Sequence, residues 1–194
     1  MAYWHVIRNY FTIFAGFLLK TMKRILTIIL LFCSVLSLQA QSFKGTFHQT
    51  KTMKVSGLSL KSKGDITYTA PNKLKLEYTN PEGDYFIISG DRMFMDMRGI
   101  SLDVDTSTNQ TVRSQCNALL YGISGQYDKI AEEMDADCTV KEDATGKHVV
   151  LKMRKVSPKS YTGMQLDYGK NGRVHRMVLE EFGGISTEYI LHVK

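Results

Sequence analysis

The sequence predicts a mainly β protein: a strongly curved antiparallel sheet, or unclosed β-barrel, with two short helices as a lid. Three observations lead there. Beyond residue 42, apolar and polar residues alternate in short runs separated by Gly, Pro, Asn and Asp turn chemistry. A single stretch in mid-chain, residues 112–134, switches to the 3.6-residue period of a helix. The runs are also too many for a flat open sheet in one small domain, so the sheet must curl and its concave face needs a cover.

The chain divides early. Met22 to Ala40 read as a secretory signal, with Lys23 and Arg24 as the basic region, Ile25 to Leu36 as the apolar region and Leu38-Gln39-Ala40 as the cleavage site. Residues 1–21 hold a second apolar stretch, Phe11 to Leu19, that adds nothing a signal needs, and they read as a mis-assigned N-terminal extension before a true start at Met22. A two-segment membrane anchor is the alternative, but both runs fall short of the roughly 20 residues a span needs. Cys33 follows the bulky Phe32, which argues against a lipid-modified cysteine. Residues 41–194 then read as a single exported domain, long enough for a sizeable core.

Of the 25 lysines and arginines, four (Arg8, Lys20, Lys23 and Arg24) fall in residues 1–40, and none of the 19 acidic residues does, which leaves a net charge of +2 for the mature domain. Its basicity therefore belongs to the leader. Nothing clusters as nucleic-acid or anionic-membrane binding requires.

Period-2 runs predict strands near 43–54, 57–70, 73–80, 84–90, 92–98 and 100–105. Lys63-Gly64-Asp65, Asn80-Pro81-Glu82-Gly83, Ser89-Gly90-Asp91 and Arg98-Gly99 carry turn chemistry, and Pro71 lies between two runs. In 73–78, Leu74, Leu76 and Tyr78 share one face while Lys73, Lys75 and Glu77 meet solvent, the pattern of a half-buried antiparallel strand. Val112, Cys116, Leu119, Leu120 and Ile123 then form one helical stripe. Tyr127, Ile130, Ala131 and Met134 form another beyond the break at Ser124-Gly125. Strands resume near 137–142, 147–154, 160–168, 173–181 and 185–193, with Lys170-Asn171-Gly172 as the strongest hairpin signal. Helices placed between two sheet halves can lie across the concave mouth without breaking strand order.

The strand at 92–98 puts Met93, Met95 and Met97 on one side, with Phe94 and Asp96 on the other. Such a stripe is ordinarily sheet core. Unbranched thioethers also repack around changing shapes, which suits a surface that accepts flexible hydrocarbon.

Catalytic constellations are not evident. His48, His148, His175 and His192 stand singly, without metal-site spacing, and no phosphate loop or nucleophile elbow occurs. Glu132-Glu133 and Glu180-Glu181 are adjacent pairs that point apart. Asn109-Gln110-Thr111 fits a glycosylation sequon, a motif short enough to arise by chance. Neither a metal nor a cofactor is expected. Cys116 and Cys138 occupy a compartment that permits disulfides. A bridge would stabilise by about 3 kcal/mol in the chain-entropy model, and two free thiols are the equal alternative.

Several stretches taken in order resemble the LolA family of periplasmic outer-membrane lipoprotein carriers. Ser42-Phe43 with Phe47 and Gln49 is similar to the family's opening strand, and Gly64 through Pro71-Asn72, then Tyr78 and Pro81, to its second hairpin. Ile87-Ile88-Ser89-Gly90-Asp91 resembles the next strand and turn, and Ile123-Ser124-Gly125 the turn between lid helices. Tyr161 to Tyr168 with Gly172, Val174, Leu179, Glu180, Gly184 and Thr187 resembles the closing strands. The resemblance implies an unclosed barrel of about eleven strands whose apolar cavity shields lipoprotein acyl chains in transit. Its implied partners are an inner-membrane lipoprotein-releasing ABC transporter and an outer-membrane acceptor, with the carrier itself a monomer.

Two features depart from the family pattern. Only Gln41 precedes Ser42 after the expected cleavage, where members usually carry an amphipathic helix. Ala70 precedes Pro71, where many have an arginine that ties lid to barrel. A Cys116–Cys138 bond would tether the first helix to the strand after the second and could replace that latch.

The expected lipid-binding residues are Met93, Met95, Met97, Leu74, Leu76, Tyr78, Leu119, Leu120 and Ile123. The function expected is a periplasmic carrier of lipoprotein acyl chains or a related lipid, not an enzyme. The alternative is a non-enzymatic lipid-sensing or protein-binding module on the same scaffold, since fold does not determine function.

Overall fold

The computed structural model describes residues 42–158 and 160–193. The expected leader, with Cys33, lies outside the described residues.

Six strands come first: β1 (Phe43–Met53), β2 (Leu58–Thr69), β3 (Lys73–Asn80), β4 (Glu82–Ser89), β5 (Arg92–Met97) and β6 (Ile100–Asp105). Helices α1 (Gln110–Ser124) and α2 (Tyr127–Glu133) follow. Five further strands complete the domain: β7 (Ala136–Glu142), β8 (Gly146–Met153), β9 (Tyr161–Gly169), β10 (Val174–Glu181) and β11 (Ile185–Val193). All of them join a single 11-stranded sheet in the order β6-β5-β4-β3-β2-β1-β11-β10-β9-β8-β7. Every neighbouring pair is antiparallel. The sheet is not closed into a barrel.

This order is two meanders stitched together at their inner strands. β1 pairs with β11 along Gly45↔Val193 through Met53↔Ile185, so the chain's ends meet in the middle of the sheet. The edges are therefore β6 and β7, consecutive in sequence and farthest apart in the sheet. Residues 106–135 must carry the chain from one edge to the other, and they do so as the two helices.

Side-chain alternation fixes which face the helices cover. Phe47, Ile66, Tyr68, Leu74, Ile88, Val149, Leu151, Met164, Leu166 and Val174 are almost completely buried on the inner face. Their sequence neighbours Thr46, His48, Asp65, Lys73 and Lys152 are exposed on the outer one. The lid is fastened at each end by local chemistry. Asn109 caps α1, its Oδ1 accepting from the Val112 N–H at 3.2 Å. Gly125 ends it at φ 78°, a left-handed conformation that glycine adopts without a Cβ penalty, and the Gln126 N–H returns to the Tyr121 carbonyl.

The outer face carries a row of charge instead. His148 Nδ1 lies 2.8 Å from Asp167 Oδ1, Arg176 donates to Asp167 Oδ2 at 3.0 Å and to Glu188 Oε1 at 2.7 Å, and the row thus crosses β8, β9, β10 and β11. The hydrogen bond to Asp167 pushes the His148 imidazole up from its ordinary 6.5. Partial burial drives the Asp167 carboxyl up, but hydrogen bonds from His148 and Arg176 outweigh it and hold that group low.

Because the folded-state value of His148 is raised, its contribution to stability is complete below 6.5 and is lost as pH rises through the folded value. A ¹H–¹³C NMR titration should give His148 a midpoint above 6.5, and Asp167→Asn should lower it. An unchanged midpoint in that variant would contradict the pairing.

Candidate functional site

The inner face of the sheet and the inner stripe of the lid make one apolar body. β3 and β5 present Leu74, Leu76, Tyr78 and Met93, and α1 presents Cys116, Leu119, Leu120 and Ile123; each is no more than 8% exposed, and all belong to one cluster. Register explains the meeting: Leu74 faces Ile88, Ile88 faces Met93, and Leu76 faces Phe86, which faces Met95. Met95 and Met97 are half-buried against the same cluster. The nine residues expected from sequence to bind lipid thus lie together. Seven of them are buried in this cluster, and Met95 and Met97 are partly open at its edge.

Burial is graded along the methionine strand. Met93 is 8% exposed, Met95 and Met97 are partly open, and their partners across β6, Leu102 and Ile100, reach 44% and 62%. The strip is buried at its Met93 end. The other end is an apolar surface that meets solvent. Ile100, Leu102 and Val104 alternate just as the methionines do, so the same period-2 argument would have found them. Met153, Met164 and Met177, buried on the far half of the sheet, were also missed. They come from β8, β9 and β10, and only strand pairing shows that they share a face with Met93.

One group on the outer face has the contacts of a nucleophile and base. Thr145 Oγ1 is 3.1 Å from His148 Nε2, and His148 Nδ1 is 2.8 Å from Asp167. The Thr145 hydroxyl, however, donates to Asp143 Oδ1 at 2.6 Å, and a second carboxylate oxygen, Asp143 Oδ2, lies 3.3 Å from Nε2. Hydrogen bonds from the Thr145 side chain and backbone hold Asp143 down to about 2. An imidazole between two carboxylates favours its charged form, which cannot take a proton from a hydroxyl. Among the described residues, no group of three or more His, Cys, Asp or Glu is placed to hold a metal ion, and no helix is long and apolar enough to cross a membrane.

The model of the family described as outer membrane lipoprotein carrier protein LolA matches residues 38–193. The chain belongs to the LolA family. No curated protein matches its sequence. Among solved structures, a LolA superfamily protein from Nitrosomonas europaea is similar over 80% of this chain and 86% of its own, at 11% identity and TM-score 0.40. Lipoprotein LppX from Mycobacterium tuberculosis is similar over 78% and 85%, at 12% identity and TM-score 0.37. A DUF1329 family protein from Desulfovibrio piger is similar over 79% and 84%, at 10% and 0.39. The likeness in each is loose, and the family match carries the assignment.

In this LolA-family chain two tyrosines reach the C-terminal end of α1 from opposite halves of the sheet. Tyr168 of β9 donates its buried hydroxyl to the Gly122 carbonyl at 2.7 Å. Tyr68 of β2 donates to the Pro71 carbonyl at 3.1 Å and is also hydrogen-bonded to the Ser124 side chain. Burial raises both phenols, Tyr168 well above the usual range, so they act as neutral donors throughout the physiological range. Gly122 makes the close approach workable, since a Cβ there would lie 3.2 Å from Leu166 Cδ2. At the position of the family's arginine, the Ala70 N–H donates to Ser42 Oγ at 3.0 Å.

Cys116 and Cys138 are free thiols in this structure, Cys116 on the buried stripe of α1 and Cys138 exposed on the edge strand β7. By register Cys138 lies opposite Leu151, and Asp128 of α2 is its charged neighbour. The contacts that hold the end of α1 in this structure are the hydrogen bonds of Tyr168 and Tyr68. Burial pushes the Cys116 thiol up to about 11, and burial with the neighbouring Asp128 charge raises Cys138 more modestly.

Tyr168→Phe should lower stability to urea by about 1 kcal/mol, the typical worth of one buried hydrogen bond, and should speed amide exchange in the last turn of α1. Unchanged exchange there would mean that the lid is held elsewhere. A thiol-reactive label should modify Cys138 alone in the folded mature domain and both cysteines in denaturant, as counted by mass. Resistance of both thiols after denaturation without reductant would show a bond.

Proposed function

We propose that this protein is a periplasmic carrier that takes acyl chains, those of lipoproteins foremost, onto the inner face of its sheet and delivers them from the inner to the outer membrane. One observation carries this reading: the lid stripe is itself hydrocarbon, packed on an adaptable, methionine-rich face that continues past the lid into the open strip of Leu102 and Ile100.

Exchange is energetically plausible. Leu119, Leu120, Ile123 and Ile130 gain roughly 2 kcal/mol each by burial, on the order of 8 kcal/mol together. An acyl chain of about fifteen methylenes gains on the order of 12 kcal/mol at ~0.8 per methylene, so one chain can compensate for displacing the stripe. The difference is about 4 kcal/mol, less than either quantity. A carrier that must also release its load needs part of the gain to be offset in this way.

The partners that follow from this role are an inner-membrane lipoprotein-releasing ABC transporter and an outer-membrane acceptor, with the protein acting as a monomer and without catalysis. Export would use the signal at Met22 to Ala40, cleaved near Ala40, ahead of the single domain at residues 41–194. The nine residues Met93, Met95, Met97, Leu74, Leu76, Tyr78, Leu119, Leu120 and Ile123 would contact the chains as the lid lifts.

Native mass spectrometry of protein taken from its own host should reveal acylated cargo. Met95→Asp should weaken uptake of a fluorescent acyl probe by at least about tenfold, because a carboxylate would have to be desolvated against hydrocarbon, while the partly open position of Met95 lets the fold form. Unchanged uptake in that variant would remove Met95 from the binding surface. Failure of the delipidated protein to bind any acyl probe would end the carrier reading.

A further inference from the structure

At the uncovered end of the methionine strip lies a recess of about 250 Å³, lined by Gln49, Lys51, Leu60, Ser62, Asp84, Met97 and others. Its floor is polar and incompletely paired. Gln49 donates through Nε2 to the Tyr189 hydroxyl at 3.2 Å, and Tyr189 is hydrogen-bonded in turn with Tyr78. Asp84, only 9% exposed, accepts through Oδ1 from the Arg98 N–H at 2.9 Å. The remaining oxygens of this pair, Gln49 Oε1 and Asp84 Oδ2, are buried with no hydrogen-bond partner in the protein.

Two unmet acceptors so close to one apolar strip are costly as they stand, since a buried oxygen without a donor keeps its full desolvation penalty. Both residues of the pair present acceptors, so the group that would satisfy them must donate. Lys51 does not serve: its ammonium lies 3.7 Å from Glu181. Lys51, Met97 and Arg98 line the same recess with long unbranched side chains, which can swing aside to uncover the two oxygens.

We infer that this recess is a subsite for the polar end of an acylated ligand, in which N–H or O–H donors next to the acyl chain bond to Gln49 Oε1 and Asp84 Oδ2 while the chain runs along Met97 and Met95. The inference rests on the carrier reading and deepens it, since it states what kind of head group the site accepts. Amides of an acylated polypeptide and hydroxyls of a glycerolipid share the required chemistry. A donor-free ester, or a carboxylate, does not supply it.

Calorimetric titration of the full mature chain with N-lauroylglycinamide, 1-lauroylglycerol and methyl laurate separates the cases. The amide, the glycerol ester, or both should bind about tenfold more tightly than methyl laurate, and which of them does so identifies the source of the donor. Gln49→Met, of similar volume, and Asp84→Asn, which keeps the acceptor for Arg98 and turns the free oxygen into a donor, should each erase most of that preference and leave methyl laurate binding unchanged. Equal binding of the three probes to the unaltered protein, or a preference that survives in both variants, would overturn the subsite and leave the carrier reading intact. Binding of none would overturn both.

Discussion

Everything in this structure depends on one topological constraint: the two edges of the sheet are consecutive in the chain. Because β1 pairs with β11, the meanders grow outward in opposite directions, and β6 and β7 end as far apart as the sheet allows. The connecting segment must cross the concave face. It cannot cross as bare loop, since backbone groups laid over hydrocarbon need partners, and a helix supplies them internally. The lid is thus the least costly way to join the two edges, and its apolar stripe follows from the surface it crosses.

The contacts that hold the lid are of two kinds. Leucines and isoleucines on methionines give burial without directional preference, while direction comes from a few hydrogen bonds, chiefly those of Tyr168 and Tyr68 to the end of α1. Burial keeps both phenols neutral, so the fastening does not respond to ordinary changes of pH. Helices held in this way are separable from the sheet by an apolar competitor of comparable area.

Charge and hydrocarbon are kept on opposite faces. The row from His148 through Asp167 and Arg176 to Glu188 runs across four strands on the outer side and pins their register without intruding on the inner surface. Inside, polar groups appear at the uncovered end, where Gln49, Tyr189, Tyr78 and Asp84 gather. Burial lifts Tyr78 to about 12, which keeps that network neutral at the phenols while its acceptors stay available. The uncovered mouth thus joins unpaired polar acceptors to an apolar strip, the arrangement an amphipathic ligand matches end for end.

Much of this was legible in the chain because alternation is a local property of extended backbone. Leu74, Leu76 and Tyr78 had to share a face, and so did Met93, Met95 and Met97, whatever they packed against; the α1 stripe and its stop at Ser124-Gly125 follow equally from helical geometry. Pairing is a different matter. That β1 joins β11, that Gln49 touches Tyr189 across 140 residues, and that Cys116 is buried while Cys138 faces solvent depend on contacts between distant segments, which no local period encodes. The sequence by itself thus determined the elements, their apolar faces and the adaptable chemistry of one strand. Only the tertiary structure decided that the lid fills the cavity, that Met97 lies open where Met93 is covered, and that polar acceptors wait beside it, because each of these depends on where the crossing helices come to rest.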